Sequence, residues 1–420
     1  MRKSFLRDEA GAIAIVFALV FPVMVGALAL GAEAGFWYYT QRKLQHAADL
    51  AAHAGAVRLR AGDAKASITT AAHEVAVRSG FADGATSSLT LNLLSSGGRE
   101  SVEVILVEAP QRMLSSLFAT GPVPIRGRAV ASLQPLESSV ACVLALDPVA
   151  SGAVSVGGSA TVDMGGCDIA ANSNAPSAYL QSGSSSVKAN CINTVGGASP
   201  GVNLTLACGG IRQQTTATRN PYANVADPVI TGACEASKIG SHGATTVVTP
   251  TVMHPSGVPF MRFCSGIDLA GTVVFSRGLY IIEGNVTMQG GAQGSNTPVS
   301  VRGADVTFFF QGNTFIDLKT NTEINFAAPT TGPYAGLALF GAKNNTRDQT
   351  FAASPLITIQ GAVYYPSAKV DFSGSFATTS RCTQVIGLTI AFSGNQKLQS
   401  DCANTGTRTV YTDVKVAITE

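Results

Sequence analysis

Eight cysteines are the residues of this sequence best suited to form covalent bonds or bind a metal, and none precedes residue 142. No Cys-x-x-Cys pair occurs, and the five histidines do not alternate with the cysteines as the ligands of a zinc site would. The spacing therefore favours disulfide bonds, and hence an oxidising compartment, over a metal centre. The nearest pairs are Cys191 with Cys208 and Cys382 with Cys402, but eight cysteines allow 105 connectivities, so the sequence does not determine the pairing. The full candidate set is Cys142, Cys167, Cys191, Cys208, Cys234, Cys264, Cys382 and Cys402.

Carboxylates are the second group that could do chemistry, because paired carboxylates hydrolyse glycosidic bonds. Here the acids of the C-terminal half are isolated along the chain: Asp268, Glu283, Asp305, Asp317, Glu323 and Asp371. The sequence contains no Gly-x-Ser-x-Gly nucleophile elbow, no Walker loop and no His-Glu-x-x-His motif. We therefore expect no enzymatic activity, no cofactor and no metal site.

The charge balance excludes one class of partner. The 28 Lys and Arg residues against 26 Asp and Glu residues leave a net charge of +2, and charged residues make up only 13% of the chain. Proteins that bind nucleic acids present a strong basic field, so we expect no nucleic-acid partner. Gly, Ser, Thr and Asn replace the missing charges, which is typical of exported β-rich proteins.

An uncharged segment near the N-terminus is the element that positions the rest of the chain. Residues 10–32 carry no charge and are mostly apolar. A helix of this length can cross a bilayer. Arg2, Lys3 and Arg7 precede the segment, so the positive-inside rule predicts a cytoplasmic N-terminus and export of everything that follows. A cleaved signal peptide is the alternative, but the apolar run exceeds the usual length of a signal peptide's apolar core.

The helical pattern continues beyond this span to about residue 60. Apolar residues recur there at intervals of three and four, mostly as alanine, and so form one face of a helix: Leu44, Ala47, Ala48, Ala51 and Ala52. Alanine lets the backbone of another helix approach closely, so this face predicts a contact with a partner helix. Gly62 ends the pattern, and a second helix follows that ends near Gly80.

These N-terminal motifs together resemble the N-terminal segment of the TadE/TadG-like proteins of the bacterial tight-adherence (Flp) pilus system. The resemblance covers about the first 60 residues, and its residues are Gly11, Phe17, Pro22, Glu33, Gly35, Leu44, Gln45, Ala48, Asp49, Ala51 and Ala52. It implies an inner-membrane anchor crossing once, a role in pilus assembly, and pilin or other Tad proteins as partners. Prepilin peptidase requires a Glu five residues after the cleavage Gly, and Val16 occupies that position, so the sequence is more similar to the unprocessed TadG branch.

After the helices the pattern changes to alternation with period two, which predicts strands. We expect a mainly β protein in three parts: residues 1–60 as tail, anchor and membrane-proximal helix, residues 61–135 as a small α+β domain, and residues 136–420 as a disulfide-containing β domain. Gly-rich segments such as 271–275 and 278–282 favour a parallel β-solenoid over a sandwich or barrel. A loop-rich insertion is expected around residues 209–259.

Two functions of different classes follow from these observations. The first is a non-catalytic, membrane-anchored component of Flp pilus assembly or surface attachment, with its bulk in the periplasm or at the cell surface. The second is a membrane-tethered β-solenoid that acts on or binds carbohydrates, such as a glycan-binding adhesin. Surface glycans are therefore candidate partners besides the pilus proteins and the inner membrane.

Overall fold

The structure is a computed structural model of the chain. It describes residues 10–96, 99–136, 138–288, 299–318, 322–352, 356–374, 376–377, 382–399, 401–402 and 404–419. The chain divides into two compact units, which are Met1–Gln134 with Val414–Glu420, and Pro135–Asp413. The second unit is thus inserted in sequence between the last two strands of the first.

The first unit combines helices with a small antiparallel sheet. Its helices are α1 (Ala10–Arg60), α2 (Lys65–Arg78) and a 3₁₀ helix (Leu114–Leu117). Its strands are β1 (Ser87–Ser96), β2 (Arg99–Glu108), β3 (Ile125–Pro135) and the C-terminal strand Val414–Ile418, in that order across the sheet. Strands β1 and β2 form an antiparallel hairpin, and the alternating Val102, Val104 and Leu106 of β2 are buried on one face. The C-terminal strand, which the sequence assigned to the β domain, belongs to this sheet instead.

The second unit is a stack of short strands that pair mostly in parallel. Its first run comprises β4 (Ala141–Ala145), β5 (Val154–Val156), β6 (Thr161–Met164), β7 (Asp168–Ala171), β8 (Tyr179–Gln181), β9 (Ser186–Ala189), β10 (Ile192–Thr194), β11 (Ala198–Ser199), β12 (Asn203–Leu206) and β13 (Ile211–Arg212). Each strand pairs with the strand three positions later, as β4 does with β7 and β7 with β10. This repeat of three strands builds successive coils.

The second run comprises β14 (Lys238–Val248), β15 (Val252–Met253), β16 (Pro259–Phe263), β17 (Ile267–Phe275), β18 (Gly278–Ile282), β19 (Val286–Met288), β20 (Val299–Gly303), β21 (Val306–Phe310), β22 (Ile316–Leu318), β23 (Thr322–Ala327), β24 (Leu337–Gly341), β25 (Gln349–Thr350), β26 (Leu356–Phe372), β27 (Phe376–Ala377), β28 (Thr383–Phe392) and β29 (Gln396–Lys397). Most pairs are parallel, whereas β15 and β16 are antiparallel. The mainly β prediction is confirmed.

The two runs meet in the middle of the stack. Strand β28 pairs in parallel with β4, so that Val385 lies opposite Val143 and Gly387 opposite Ala145. One ladder therefore runs in the order β13, β10, β7, β4, β28, β26, β24, β21, β18 and β16. The chain enters the stack at this seam, builds to one end, and returns from the other end to close on its own first strand.

The sequence predicted a loop-rich insertion around residues 209–259, but residues 238–248 of that range form the long strand β14. The remaining segment between the two runs, residues 213–237, packs along the stack. The Tyr222 ring is fully buried and lies 5.4 Å from the Tyr364 ring, centroid to centroid. Asn220 Nδ2 donates a hydrogen bond to the Tyr364 hydroxyl at 3.0 Å, and the Tyr222 hydroxyl accepts one from the Arg408 backbone N–H at 3.0 Å. These buried aromatic contacts hold the segment against the stack.

All eight cysteines form disulfide bonds, in the pairs Cys142–Cys167, Cys191–Cys208, Cys234–Cys264 and Cys382–Cys402. Their Cα atoms lie 4.7–5.6 Å apart, which suits the geometry of a disulfide. The prediction of disulfides is confirmed, and the structure supplies the pairing, in which both nearest pairs are bridged. The other two pairs join residues 25 and 30 positions apart, and only the structure shows that they are paired.

Candidate membrane-anchor and assembly region

The first half of α1 is an exposed apolar helix. Among the described residues, α1 is the one helix long and apolar enough to cross a membrane by length and composition. Phe17 is exposed and stacks on Phe21, with their ring centroids 5.3 Å apart. Helix α1 begins at Ala10 and continues unbroken through Pro22. Such a surface is costly in water and favourable in lipid, so the chain fits a membrane-anchored protein.

The two glycines of the family-like motif have no packing role that the structure reveals. Gly11 lies in the first turn of α1, where side chains are not described. Gly35 is exposed, and a Cβ atom added there would meet no atom within 4 Å.

Glu33, the first charged residue after the span, is buried against a loop of the same unit. Its carboxylate accepts hydrogen bonds from the backbone N–H groups of Met113 at 2.8 Å and Ser115 at 2.7 Å, and from the Ser115 hydroxyl at 2.8 Å. Burial raises the pKa of Glu33, but these hydrogen bonds outweigh it and lower the pKa below its ordinary value. Glu33 is therefore an ionised clamp between α1 and the loop that connects β2 to β3.

An arginine and the only tryptophan of the chain reinforce this clamp one helical turn later. The Arg112 guanidinium lies over the Trp37 ring, 5.8 Å from its centroid. Arg112 also donates hydrogen bonds to the Gly121 carbonyl and the Ser115 hydroxyl, at 3.1 and 3.4 Å. The loop is thus fixed to α1 at two successive turns of the helix.

Gln45 and Asp49 of the motif join α1 to the sheet. Gln45 Nε2 donates to the Arg128 carbonyl at 2.7 Å, and Gln45 Oε1 accepts from the Arg128 backbone N–H at 3.2 Å. Asp49 Oδ1 accepts a second hydrogen bond from Gln45 Nε2 at 2.9 Å and so orients the amide. The backbone at Gly127 approaches α1 so closely that a Cβ atom there would lie 2.6 Å from the Leu44 carbonyl carbon. The motif therefore docks α1 onto strand β3 of the same chain.

The alanine face of α1 is fully buried inside this unit. Leu44 and the motif alanines Ala48, Ala51 and Ala52 have no exposed surface, and they share one apolar cluster with α2 and β2. The prediction that this face contacts a partner helix of another molecule is therefore wrong for the folded chain. The small side chains are required because α2 and the sheet pack on the same face, as Ile68, Ala72, Ala76, Val102 and Val104 do.

The partners of these motif residues could not be inferred from the sequence. Ser115, Arg112 and Arg128 lie between 75 and 83 positions away from Glu33, Trp37 and Gln45. The one local signal is the pair Ser115 and Ser116 inside an otherwise apolar segment, residues 113–118, because a serine that is buried there needs a partner.

Three of the six isolated carboxylates of the second unit form ion pairs: Glu283 with Arg262, Glu323 with Arg302, and Asp371 with Lys369. The last two pairs have nitrogen to oxygen distances of 3.6 and 2.8 Å. Each basic partner is on the same or an adjacent strand. Glu323 and Arg302 link two adjacent strands, whereas Lys369 and Asp371 lie on one strand, β26.

The other three acids are Asp268, Asp305 and Asp317. Asp268 lies on β17 in register with Lys238 of β14. Asp305 adopts a left-handed turn with φ of 57°, and its carbonyl accepts the Gly278 N–H. The side chain of Asp317 lies outside the described residues. Within the part of the chain that the structure describes, no cluster of three or more His, Cys, Asp or Glu side chains could hold a metal ion.

Comparison with known proteins identifies one part of the chain. Residues 11–58 match the family model described as "Putative Flp pilus-assembly TadE/G-like". No curated protein and no solved structure gives a match. The matched residues begin in the apolar span and end near the end of α1, so they contain the Glu33 clamp and the Gln45 contact. The resemblance of the N-terminal segment is confirmed.

Proposed function

We propose that this chain is a non-catalytic, membrane-anchored component of Flp pilus assembly, of the TadG-like type. The observation that carries the proposal is the family match over residues 11–58, which coincides with α1. The matched part of α1 contains an apolar span and, after it, residues that hold the first folded unit against the helix. The chain is therefore suited to hold exported domains next to the membrane.

The proposed topology places the N-terminus in the cytoplasm and both folded units beyond the membrane. Arg2, Lys3 and Arg7 precede the apolar span, which supports this orientation. Four disulfide bonds in the second unit support an oxidising compartment, since disulfides rarely persist in the cytosol. In a bacterium these observations favour the periplasm or the cell surface.

The partners that we propose are pilin or other Tad proteins. Because the alanine face of α1 is buried within the chain, we expect these partners to contact other surfaces, among them that of the second unit. That surface is sparsely charged and rich in Gly, Ser, Thr and Asn, which also suits contact with glycans. The ion pairs of Glu283, Glu323 and Asp371 support binding over hydrolysis, because a glycosidase requires carboxylates free to act on substrate.

Deletion of the gene, with imaging of pili and a surface-attachment assay, tests this function. We expect loss of pili or of attachment, and restoration by the full chain. A complementing chain that carries both Glu283→Gln and Arg262→Gln should restore pili and attachment, because these two side chains pair with each other and do not act on a substrate. Normal piliation and attachment in the deletion strain would contradict the proposal, and polysaccharide cleavage by the purified chain that depends on these acids would favour the enzyme.

A further inference from the structure

The loop between β2 and β3 exposes a compact group of large apolar side chains. Met113 and Leu114 are about half exposed, and Leu117 and Phe118 are 79% and 80% exposed. Ser115 of the same segment is buried and faces Glu33. The 3₁₀ helix Leu114–Leu117 therefore turns Ser115 toward α1, whereas Leu114, Ser116 and Leu117 face outward, and such a group of exposed apolar side chains is unusual for a soluble surface loop.

The Glu33 clamp sets the position of this loop along α1. Three hydrogen bonds tie Met113 and Ser115 to Glu33, the first residue beyond the uncharged segment. Residues 10–32 span about 34 Å at 1.5 Å per residue, close to the roughly 30 Å hydrocarbon thickness of a bilayer. Glu33 thus lies at the boundary of the bilayer that α1 crosses, and the loop lies at the same level.

The residues around the loop suit the membrane interface. Residues 109–124 contain no acidic residue and one basic residue, Arg112. Trp37, Tyr38 and Tyr39 follow Glu33 on α1, and the two tyrosines are exposed. Aromatic residues gather at this depth because they have an apolar ring and a polar group. An exposed apolar loop at the depth of these aromatic residues is therefore placed to contact the acyl chains and glycerol groups of the lipid.

We propose that residues 113–118 form a second membrane contact, which inserts Leu117 and Phe118 into the lipid interface on the side of the bilayer that faces the folded units. The occupant of this surface is the bilayer itself, because the loop is continuous with the span through the Glu33 clamp. A single helix leaves a domain free to rotate about the helix axis, whereas a second contact fixes the orientation of the first unit to the membrane. The inference requires that α1 crosses a bilayer and does not depend on a role in pilus assembly.

Fluorescence of the full chain in phosphatidylcholine vesicles tests the contact. Every cysteine of the native chain is in a disulfide, so Leu117→Cys introduces the one free thiol for an environment-sensitive label such as NBD. Leu117 is exposed, so the substitution leaves the packing intact. The matched control is Val57→Cys, which is also exposed on α1 but lies about 36 Å beyond Glu33.

We expect the label at position 117 to emit at shorter wavelength than the label at position 57. A nitroxide placed near the carbonyl end of the acyl chain should quench the label at 117 several-fold more than the label at 57. Aqueous iodide should do the reverse. A label at Phe118→Cys should repeat the result of position 117 because both side chains are in the inserted turn.

Two results would overturn the proposal. Equal quenching of positions 117 and 57 by iodide would place the loop in water. Shielding of position 117 from iodide without quenching by the lipid nitroxide, increasing with protein density in the vesicle, would show that a second copy of the chain covers the loop.

Discussion

Gln45 of α1 pairs through its side-chain amide with both backbone groups of Arg128, 83 positions later in β3. The Gln45 amide thus makes the two hydrogen bonds that the backbone of a neighbouring strand would make, and it satisfies one donor and one acceptor of the sheet. Asp49 holds the amide in this orientation. The Leu-Gln-x-Ala-Ala-Asp motif is consequently a docking device that fastens the membrane helix to the unit folded on it.

Replacement of Gln45 by Ala should loosen this junction. The change leaves the Arg128 N–H and C=O without their partners, which costs about 1–3 kcal/mol when such groups are shielded from water. Hydrogen exchange of the detergent-solubilised chain should show faster exchange in β3 and in α1 near Gln45. Gln41→Ala is the control, because Gln41 is exposed on the same helix, and equal exchange in the two variants would contradict the docking role.

Replacement of Ala48 by Leu should destabilise the isolated chain, because the added side chain has no space. Ala48 is fully buried in the cluster with α2 and β2, and overpacking of a dense core typically costs about 1–3 kcal/mol. Chemical unfolding of the purified chain, followed by the fluorescence of Trp37, measures this cost. His53→Leu adds a leucine at an exposed position of α1 and should have a small effect. A stable A48L chain that has lost only its pilus partners would restore the intermolecular interpretation of this face.

The sequence predicted the features that depend on neighbouring residues. The span, α1 and the change to strands follow from composition and periodicity, and the preference for disulfides over a metal follows from the spacing of the cysteines. The alanine face was recognised, but periodicity shows only that a face is buried and not which element covers it. Only the fold brings α2 and β2 onto it.

The order of strands in the second unit was beyond sequence reasoning for a related reason. Parallel coils of similar length and composition accept several neighbours, so local patterns do not show that β28 pairs with β4. For the same reason the sequence does not predict the disulfide Cys142–Cys167, which joins β4 to the residue before β7. Ring stacking across coils, as in Phe351, Phe372 and Phe392, becomes visible only when the register is known.

Replacement of Glu33 by Gln should release the loop that carries residues 113–118. The neutral amide has one acceptor oxygen in place of two, so the three donors of Met113 and Ser115 are no longer all satisfied. We expect faster amide exchange at Met113 and Ser115 at neutral pH. Glu74→Gln, at an exposed position of α2, serves as the control, and unchanged protection in E33Q would contradict the clamp.

The Glu33 clamp should also respond to acid in the wild-type chain. Hydrogen bonds lower the pKa of Glu33 below its ordinary value of 4.5, so the folded state favours the carboxylate. The stabilisation is therefore complete above 4.5 and is lost as the pH falls through the lower pKa of the folded chain. Loop protection should decline in that acidic range in the wild type and be less dependent on pH in E33Q. A wild-type loop that stays equally protected through that range would contradict this prediction.

Asp168 lies at the seam of the second unit, where the chain enters and leaves the stack. It has no exposed surface, and it accepts hydrogen bonds from Asn190 Nδ2 at 2.6 Å, the Cys191 N–H at 3.0 Å, Asn193 Nδ2 at 3.1 Å and the Thr412 hydroxyl. Burial raises the pKa of Asp168 and outweighs these hydrogen bonds, which lower it. Because the folded state then binds the proton more tightly than the unfolded chain, the contribution of Asp168 to stability falls as the pH rises from 3.8 to the raised pKa.

Thr412→Val should therefore destabilise the second unit by an amount that grows with pH. The substitution keeps the shape of the side chain but removes the hydroxyl donor, and loss of a hydrogen bond to a buried charged group costs about 1.5–3 kcal/mol. The neutral acid depends less on that donor, so the cost should be smaller at pH 4 than at pH 7. Thermal unfolding of T412V at both values measures it, with the exposed neighbour Thr409→Val as control. The Thr412 hydroxyl can also donate to the Ser139 carbonyl, at 3.2 Å, and that contact does not depend on pH. An equal loss at both values would therefore show that the ionised Asp168 does not hold the end of the chain at the seam.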